Sequence, residues 1–143
     1  MKLCFKVHRV LACAILAACA PTVGCRPSTS LSLAPVTGTV KHKGQPLVRG
    51  TVVFTPMPGT LGPQAVGNIG SDGSFQMQTA GVDGAAVGEH KVTVHSRREH
   101  TPEESAKLVI PPSLIPEKYG KEDQSGLSIN VQKGSNEYPI ELP

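Results

Sequence analysis

Four cysteines, Cys4, Cys13, Cys19 and Cys25, all fall in the first 25 positions of a 143-residue chain. A thiol is the nucleophile that accepts a diacylglycerol group, and Leu16-Ala17-Ala18-Cys19 puts small residues just before such a thiol. That spacing is a bacterial lipobox, at which a lipoprotein signal peptidase cuts before the lipidated cysteine. Thr22-Val23-Gly24-Cys25 is a weaker second match, because threonine fits poorly as the first lipobox residue. Upstream, Lys2, Lys6 and Arg9 form a positive n-region and residues 10–18 an apolar core of export-signal length. Ordinary cleavage after Ala20 is disfavoured by Pro21. The spacing predicts a lipoprotein signal peptide over residues 1–18, lipidation at Cys19 with Cys25 as alternative, a polar tether over 19–34, and a domain over 35–143. One acyl chain anchors marginally, whereas a diacylglycerol plus an N-linked palmitate-type chain anchors stably.

Other constellations promise less. His100-Thr-Pro-Glu103 has the H-x-x-E spacing of a zinc pair, but a zinc site needs three or four converging ligands, and Pro102 lies between these two. His42, His90 and His95 could supply imidazoles, with His95 expected on the surface and His90 at a strand start with its tip wet. Asp72 lacks the neighbouring carboxylates that calcium requires. No Gly-x-Ser-x-Gly elbow and no phosphate-cradling glycine loop followed by lysine occur. No catalytic residue, metal or cofactor is expected. Net charge is +3, but without Lys2, Lys6 and Arg9 the 14 basic residues become 11 against 11 acidic ones. A balanced domain is a poor nucleic-acid binder. No apolar run reaches the ~18 residues of a retained membrane helix.

Holding any site in place would fall to strands. The chain has 15 glycines, 13 prolines, no tryptophan and five aromatic residues, a composition that suits short strands and turns rather than a helical bundle. Period-two alternation predicts strands over 36–40, 49–55, 64–69, 74–79, 88–95 and 127–131, and a last one carrying Tyr138, Ile140 and Leu142. Ser71-Asp72-Gly73 between two of them is a hairpin signal, since glycine supplies the positive φ of the turn. Seven or so such strands predict an all-β, antiparallel sandwich with a thin core and no disulfide.

Residues 96–125 break the rhythm. Thr101 as N-cap, Pro102 at the first helical position and Glu104 three residues after the cap predict a helix ending near Leu108. Pro111, Pro112 and Pro116 then favour an extended path.

The ordered set Val36-Thr-Gly-Thr-Val40, Gly44-Gln-Pro-Leu47, Gly50-Thr-Val-Val-Phe54, Ser71-Asp-Gly-Ser-Phe75, Gly88-Glu-His-Lys-Val92 and Ile115-Pro-Glu-Lys-Tyr119 resembles the small carboxypeptidase regulatory-like (transthyretin- or prealbumin-like) domains. It is most similar to the single-domain lipoproteins of planctomycete-type bacteria, over roughly residues 34–143. The resemblance implies a seven-stranded sandwich outside the cytoplasm that serves as an accessory or binding module. The hydrolase branch of that fold, 5-hydroxyisourate hydrolase, ends in Tyr-Arg-Gly-Ser, and Tyr138-Pro-Ile-Glu departs from that pattern.

Sugar binding would call on exposed aromatic faces, and Phe54, Phe75 and Tyr138 fall on core-facing positions, leaving Tyr119. Two roles remain open for Leu108, Ile110, Leu114, Ile115 and Tyr119. They close one end of a thin core, or they form an apolar surface for a protein partner. The expected whole is a non-catalytic interaction module, lipid-anchored to the cell membrane or outer membrane and facing an envelope protein partner. The alternative is a solute- or glycan-binding lipoprotein.

Overall fold

The computed structural model describes residues 31–143; the leader, Cys19, Cys25 and the tether up to residue 30 lie outside the described residues. In chain order the strands are β1 (Leu33–Ala34), β2 (Val36–His42), β3 (Gln45–Pro46), β4 (Gly50–Pro56), β5 (Ala65–Ile69) and β6 (Ser74–Gln76). They continue with β7 (Gln78–Thr79), β8 (Val82–Asp83), β9 (Ala85–Ala86), β10 (Gly88–His95), β11 (Leu127–Val131) and β12 (Asn136–Leu142). Between β10 and β11 lie one helix, α1 (Pro102–Ala106), and a 3-10 turn, Glu117–Gly120. The protein is all-β and mostly antiparallel, consistent with a sandwich. The main sheet runs β11-β10-β4-β5-β7-β8, the second runs β12-β2-β3 with β6 also on β2, and β1 and β9 form a small ribbon.

Alternation decides which side chains are buried. Val36 and Val40 of β2, Val52 and Phe54 of β4, Val92 and Val94 of β10, and Ile140 and Leu142 of β12 point into one core. Phe54 meets Phe75 edge-to-face, with centroids 6.4 Å apart and planes at 77°. Phe75 lies over Gly38, where a Cβ would come within 2.6 Å of Phe75 Cζ and would collide with the Tyr138 carbonyl. Met77 uses Gly67 in the same way, with its Sδ 2.8 Å from where a Cβ would stand. Two large core side chains thus occupy seats that exist because the facing strands carry glycine.

Two features depart from the antiparallel expectation. The first long strand and the last pair in parallel, from Asn136 opposite Val36 to Leu142 opposite His42. The stretch expected as one strand over 74–79 divides between sheets: β6 pairs with β2, whereas Gln78 of β7 pairs with Val66 of β5. Met77 is the crossing point. Its N–H donates to Val36 O at 2.9 Å, and its carbonyl accepts from Gly84 N at 2.7 Å. The expected turn is present, with Gly73 at φ 83. Asp72 Oδ1 accepts from Ser74 N (3.0 Å) and Ser74 Oγ (2.6 Å), which holds its carboxyl below the usual range. It joins β5 in one sheet to β6 in the other, so it is a bridge between layers and not an in-sheet hairpin.

Strand edges are closed off. β11 is an edge strand, but its Asn130 carbonyl accepts from the Tyr138 hydroxyl at 2.5 Å and Leu127 N donates to Ser125 Oγ at 3.3 Å. β12 carries Pro139, and β8 at the other edge is two residues long. Such blunting disfavours strand addition by another chain.

Replacing Gly38 with alanine should therefore push Phe75 off its seat and destabilise the fold by about 1–3 kcal/mol, the usual cost of overpacking. Urea unfolding of Gly38→Ala beside the neighbouring Thr39→Ala checks this; equal midpoints would show that the seat does not matter.

Candidate functional site

The histidines do not assemble. His90 and His95 lie on opposite faces of β10, one buried and the other exposed, and His42 belongs to β2 in the other sheet. His100 and Glu103 are both exposed beside α1, with Thr101 capping the helix between them. Among the described residues no group of three or more His, Cys, Asp or Glu could hold a metal ion.

His90 is a correction to the sequence expectation. Its ring is fully buried against Phe54, at a centroid distance of 6.0 Å, rather than wet at the tip. Nδ1 lies 3.0 Å from Gly88 O, so in the neutral ring this nitrogen donates. Nε2 is buried with no partner. Burial lowers the pKa of the ring, offset in part by the Gly88 carbonyl. The sign follows directly: the folded state keeps the ring neutral while the unfolded state takes a proton below about 6.5. Stability is therefore full above that pH and falls as the pH drops toward the folded value. A stability-pH profile between 7 and 5 should slope downward for the native protein and flatten in His90→Gln, which retains a donor but does not titrate. An unchanged slope would assign the acid sensitivity elsewhere.

A second assembly stands at the far end of β10. That strand starts at Gly88, just after Val87, whose N–H donates to Ser32 O, and ends at His95. The excursion over 96–125 therefore leaves from the pole opposite Ser32. Its base is fastened by Ser96 Oγ to Arg49 O (2.7 Å), Leu114 N to Ser96 O (2.9 Å) and Arg97 Nη1 to Pro111 O (2.9 Å). Arg98 grips Glu104 with two parallel bonds, 2.8 and 2.5 Å. Glu104 also closes the expected capping box, its Oε2 accepting from Thr101 N while Thr101 Oγ1 accepts from Glu104 N. The Arg98 guanidinium and the Thr101 N–H together pull the Glu104 carboxyl down to about 2.

Helix α1 stops at Ala106 instead of near Leu108, and its ending is unusual. Leu108 N donates to Ser105 O (3.3 Å) and Val109 N to Glu104 O (3.0 Å), the paired bonds of a Schellman ending. Such an ending wants glycine at the left-handed position; here Leu108 occupies it at φ 54. A non-glycine residue there costs roughly 1–2 kcal/mol. Burial does not offset that cost, because Leu108 is 90% exposed and Ile110 73%.

The five residues expected to act together are divided by the fold. Tyr119 and Ile115 are 3% and 5% exposed and belong to the core, Tyr119 within the 3-10 turn that follows the proline stretch. They close the end of the sandwich, so a surface that includes them is corrected. Leu108, Val109 and Ile110 stay outside in the outer part of the excursion, and Leu114 is exposed at its fastened base.

Two shallow grooves complete the surface, each of about 490 Å³. One runs along β10 and β11 past Lys91, Glu89 and Glu122, whose carboxylate accepts from Thr55 Oγ1 at 2.7 Å. The other crosses β2 and β6 and offers Thr37, Thr39, Ser74, Asn68, Gln76 and Glu137. Both mix polar and apolar surface, the first including Met57, Leu127 and Ile129, and Phe75 at the second is buried.

No protein-family model matches the chain, and no curated protein matches it. Among solved structures, a DUF3823 family protein from Parabacteroides merdae, β-rich like this chain, is similar at 15% identity over 76% of this chain, with a TM-score of 0.42. The chain spans 44% of that protein's length.

Since its carboxyl sits at about 2, Glu104 should hold the capping box closed through mildly acidic pH and release it only as the pH falls from about 4.5 toward that value. Carboxyl-carbon NMR shifts of Glu104 and amide exchange at Thr101 should track each other over this window. A Glu104 midpoint near 4.5 would remove the Arg98 grip as its cause.

Proposed function

We propose that the chain is a non-catalytic, lipid-anchored β-sandwich of the carboxypeptidase regulatory-like type that works as a protein-interaction module outside the cytoplasm. The anchor is a diacylglycerol thioether at Cys19, with Cys25 as the alternative, in the cell membrane or outer membrane. The observation that carries the interaction role is Leu108. A large apolar side chain held in a left-handed turn where glycine belongs, almost wholly in solvent, is costly to the free protein. Leu108 and Ile110 are an apolar tip on a fastened base that also exposes Leu114, and a preorganised tip forfeits little entropy on docking. Its place opposite the tether directs it away from the anchoring membrane, toward an envelope protein.

The polar side chains in the groove across β2 and β6 favour a second function, binding of a hydroxyl-rich solute or glycan, through Thr37, Thr39, Ser74 and Gln76. The two differ in what each would leave unchanged. A solute in that groove raises thermal stability equally in the native chain and in tip variants, whereas a protein partner is lost with the tip.

Leu108→Gly separates function from stability, because it relieves the turn while removing the apolar tip. Its melting temperature should equal or exceed that of the native chain, and crosslinking in lipoprotein-competent cells should lose the partner band given by the native chain. Mass spectrometry of the same preparations should find an acylated N-terminus at Cys19, absent in Cys19→Ala and kept in Cys25→Ala. A partner band that survives both Leu108→Gly and Ile110→Asp refutes the tip, and an unmodified released chain refutes the anchor.

A further inference from the structure

The opposite pole carries a second exposed apolar feature, and it adjoins the chain that leads to the anchor. The stretch expected as tether, 19–34, overlaps the fold at its end: Ser32 O accepts from Val87 N, and Leu33–Ala34 pairs with Ala85–Ala86. Leu31 packs beside Gly62, where a Cβ would stand 2.8 Å from Leu31 Cδ1. The loop that includes Gly62 is fastened. Met57 N and Thr60 Oγ1 both donate to Glu89 O, at 2.9 and 3.0 Å, Thr60 N donates to Met57 O at 2.9 Å, and the Thr60 side chain sits against Gly88, where a Cβ would come within 2.2 Å of Thr60 Oγ1. This rigid loop presents Leu61 to solvent at 72% exposure, next to Leu31 at 37%. From Gly50 to Ser71 the sequence contains no charged residue, so the whole loop Met57-Pro-Gly-Thr-Leu-Gly-Pro63 is uncharged.

We propose that this pole rests on the lipid bilayer that holds the anchor, with Leu61 inserted at the boundary between headgroups and acyl chains. The inference rests on the lipid-anchored assignment above and adds an orientation to it. Leu31 follows Cys25 by six residues and Cys19 by twelve. A stretch of six or twelve residues, even fully extended, reaches no more than about 20 or about 40 Å. So short a connection keeps the pole that receives it close to the membrane. An uncharged, fastened loop with an outward leucine meets little desolvation cost there, whereas a charged loop would be repelled from the acyl region. Glu89, the nearest acidic side chain on β10, stands on the outer face of the sheet, perpendicular to the strand axis and so beside the pole, not across it. At the other pole Arg97, Arg98, Glu99, Glu103 and Glu104 crowd the base of the excursion, which suits water and a protein partner.

The chain has no tryptophan, so one introduced indole reports without background. Full-length acylated Leu61→Trp, and Leu108→Trp as the far-pole control, are reconstituted in phosphatidylethanolamine–phosphatidylglycerol vesicles with and without lipids brominated along their acyl chains. The expected result is a blue-shifted emission from position 61 that brominated lipid strongly quenches, with emission from position 108 unshifted and unquenched. Protein that co-floats with vesicles but shows no quenching at position 61 overturns the lipid seat and leaves the anchor standing. Quenching at 108 instead of 61 overturns the orientation. If the full-length chain made in lipoprotein-competent cells carries no acyl group and does not co-float, the anchored assignment and the seat fall together.

Discussion

The sandwich depends on a close fit between its few large side chains and the glycines opposite them. Phe54 and Phe75 meet edge-to-face between the sheets, and Phe75 can be there only because residue 38 ends at its Cα. The described fold has no cysteine, hence no disulfide to limit the unfolded chain, and most inward residues are valine, alanine or isoleucine. In such a core the apolar area per residue is small, so a misfit at one aromatic affects both layers. The parallel zipper of β2 and β12 passes over the same place, since the Tyr138 carbonyl also approaches Gly38. Topology and packing meet at that residue.

Around this core, the molecule carries its costly features at the surface or unpaired, where stability alone gives no reason for them. Leu108 takes a glycine conformation in solvent, and Leu61 is fixed outward by a loop that could not easily turn it in. The edges, by contrast, are carefully shut: the Tyr138 hydroxyl occupies the Asn130 carbonyl, and Pro139 interrupts donation along β12. Closed edges together with exposed apolar side chains at the poles suit the proposed contacts through those side chains rather than through added strands. The buried His90 is a different kind of cost. Its unpaired Nε2 lowers stability in acid and touches nothing that could use it as a base.

Much of the fold was legible from alternation. Val52 and Phe54, Val92 and Val94, and Ile140 and Leu142 all face the core on the expected parity. Thr101, Pro102 and Glu104 announced the helix start because capping is a local matter of side-chain oxygen and nearby N–H groups. Of the candidate surface, Leu108, Ile110 and Leu114 are exposed, while Ile115 and Tyr119 are buried. The non-periodic stretch gave no phase from which inside and outside could be told. Only the 3-10 turn at Glu117–Gly120 rotates Tyr119 inward.

What the sequence determined by itself was therefore the part that local patterning carries: strand faces, the Asp72-Gly73 turn and the helix cap. What only the tertiary structure decided was which strands meet and in which direction. A strand's alternation is the same beside a parallel partner as beside an antiparallel one, so the pairing of β2 with β12 left no mark. Nor did the crossing at Met77. Residues 75, 77 and 79 keep period two while the backbone changes sheets, because both sheets turn their inner faces to one shared core. The burial of His90 follows from the same cause: its parity was correct, but whether an inward position ends in water or in packed carbon is settled by what the opposite layer brings to it.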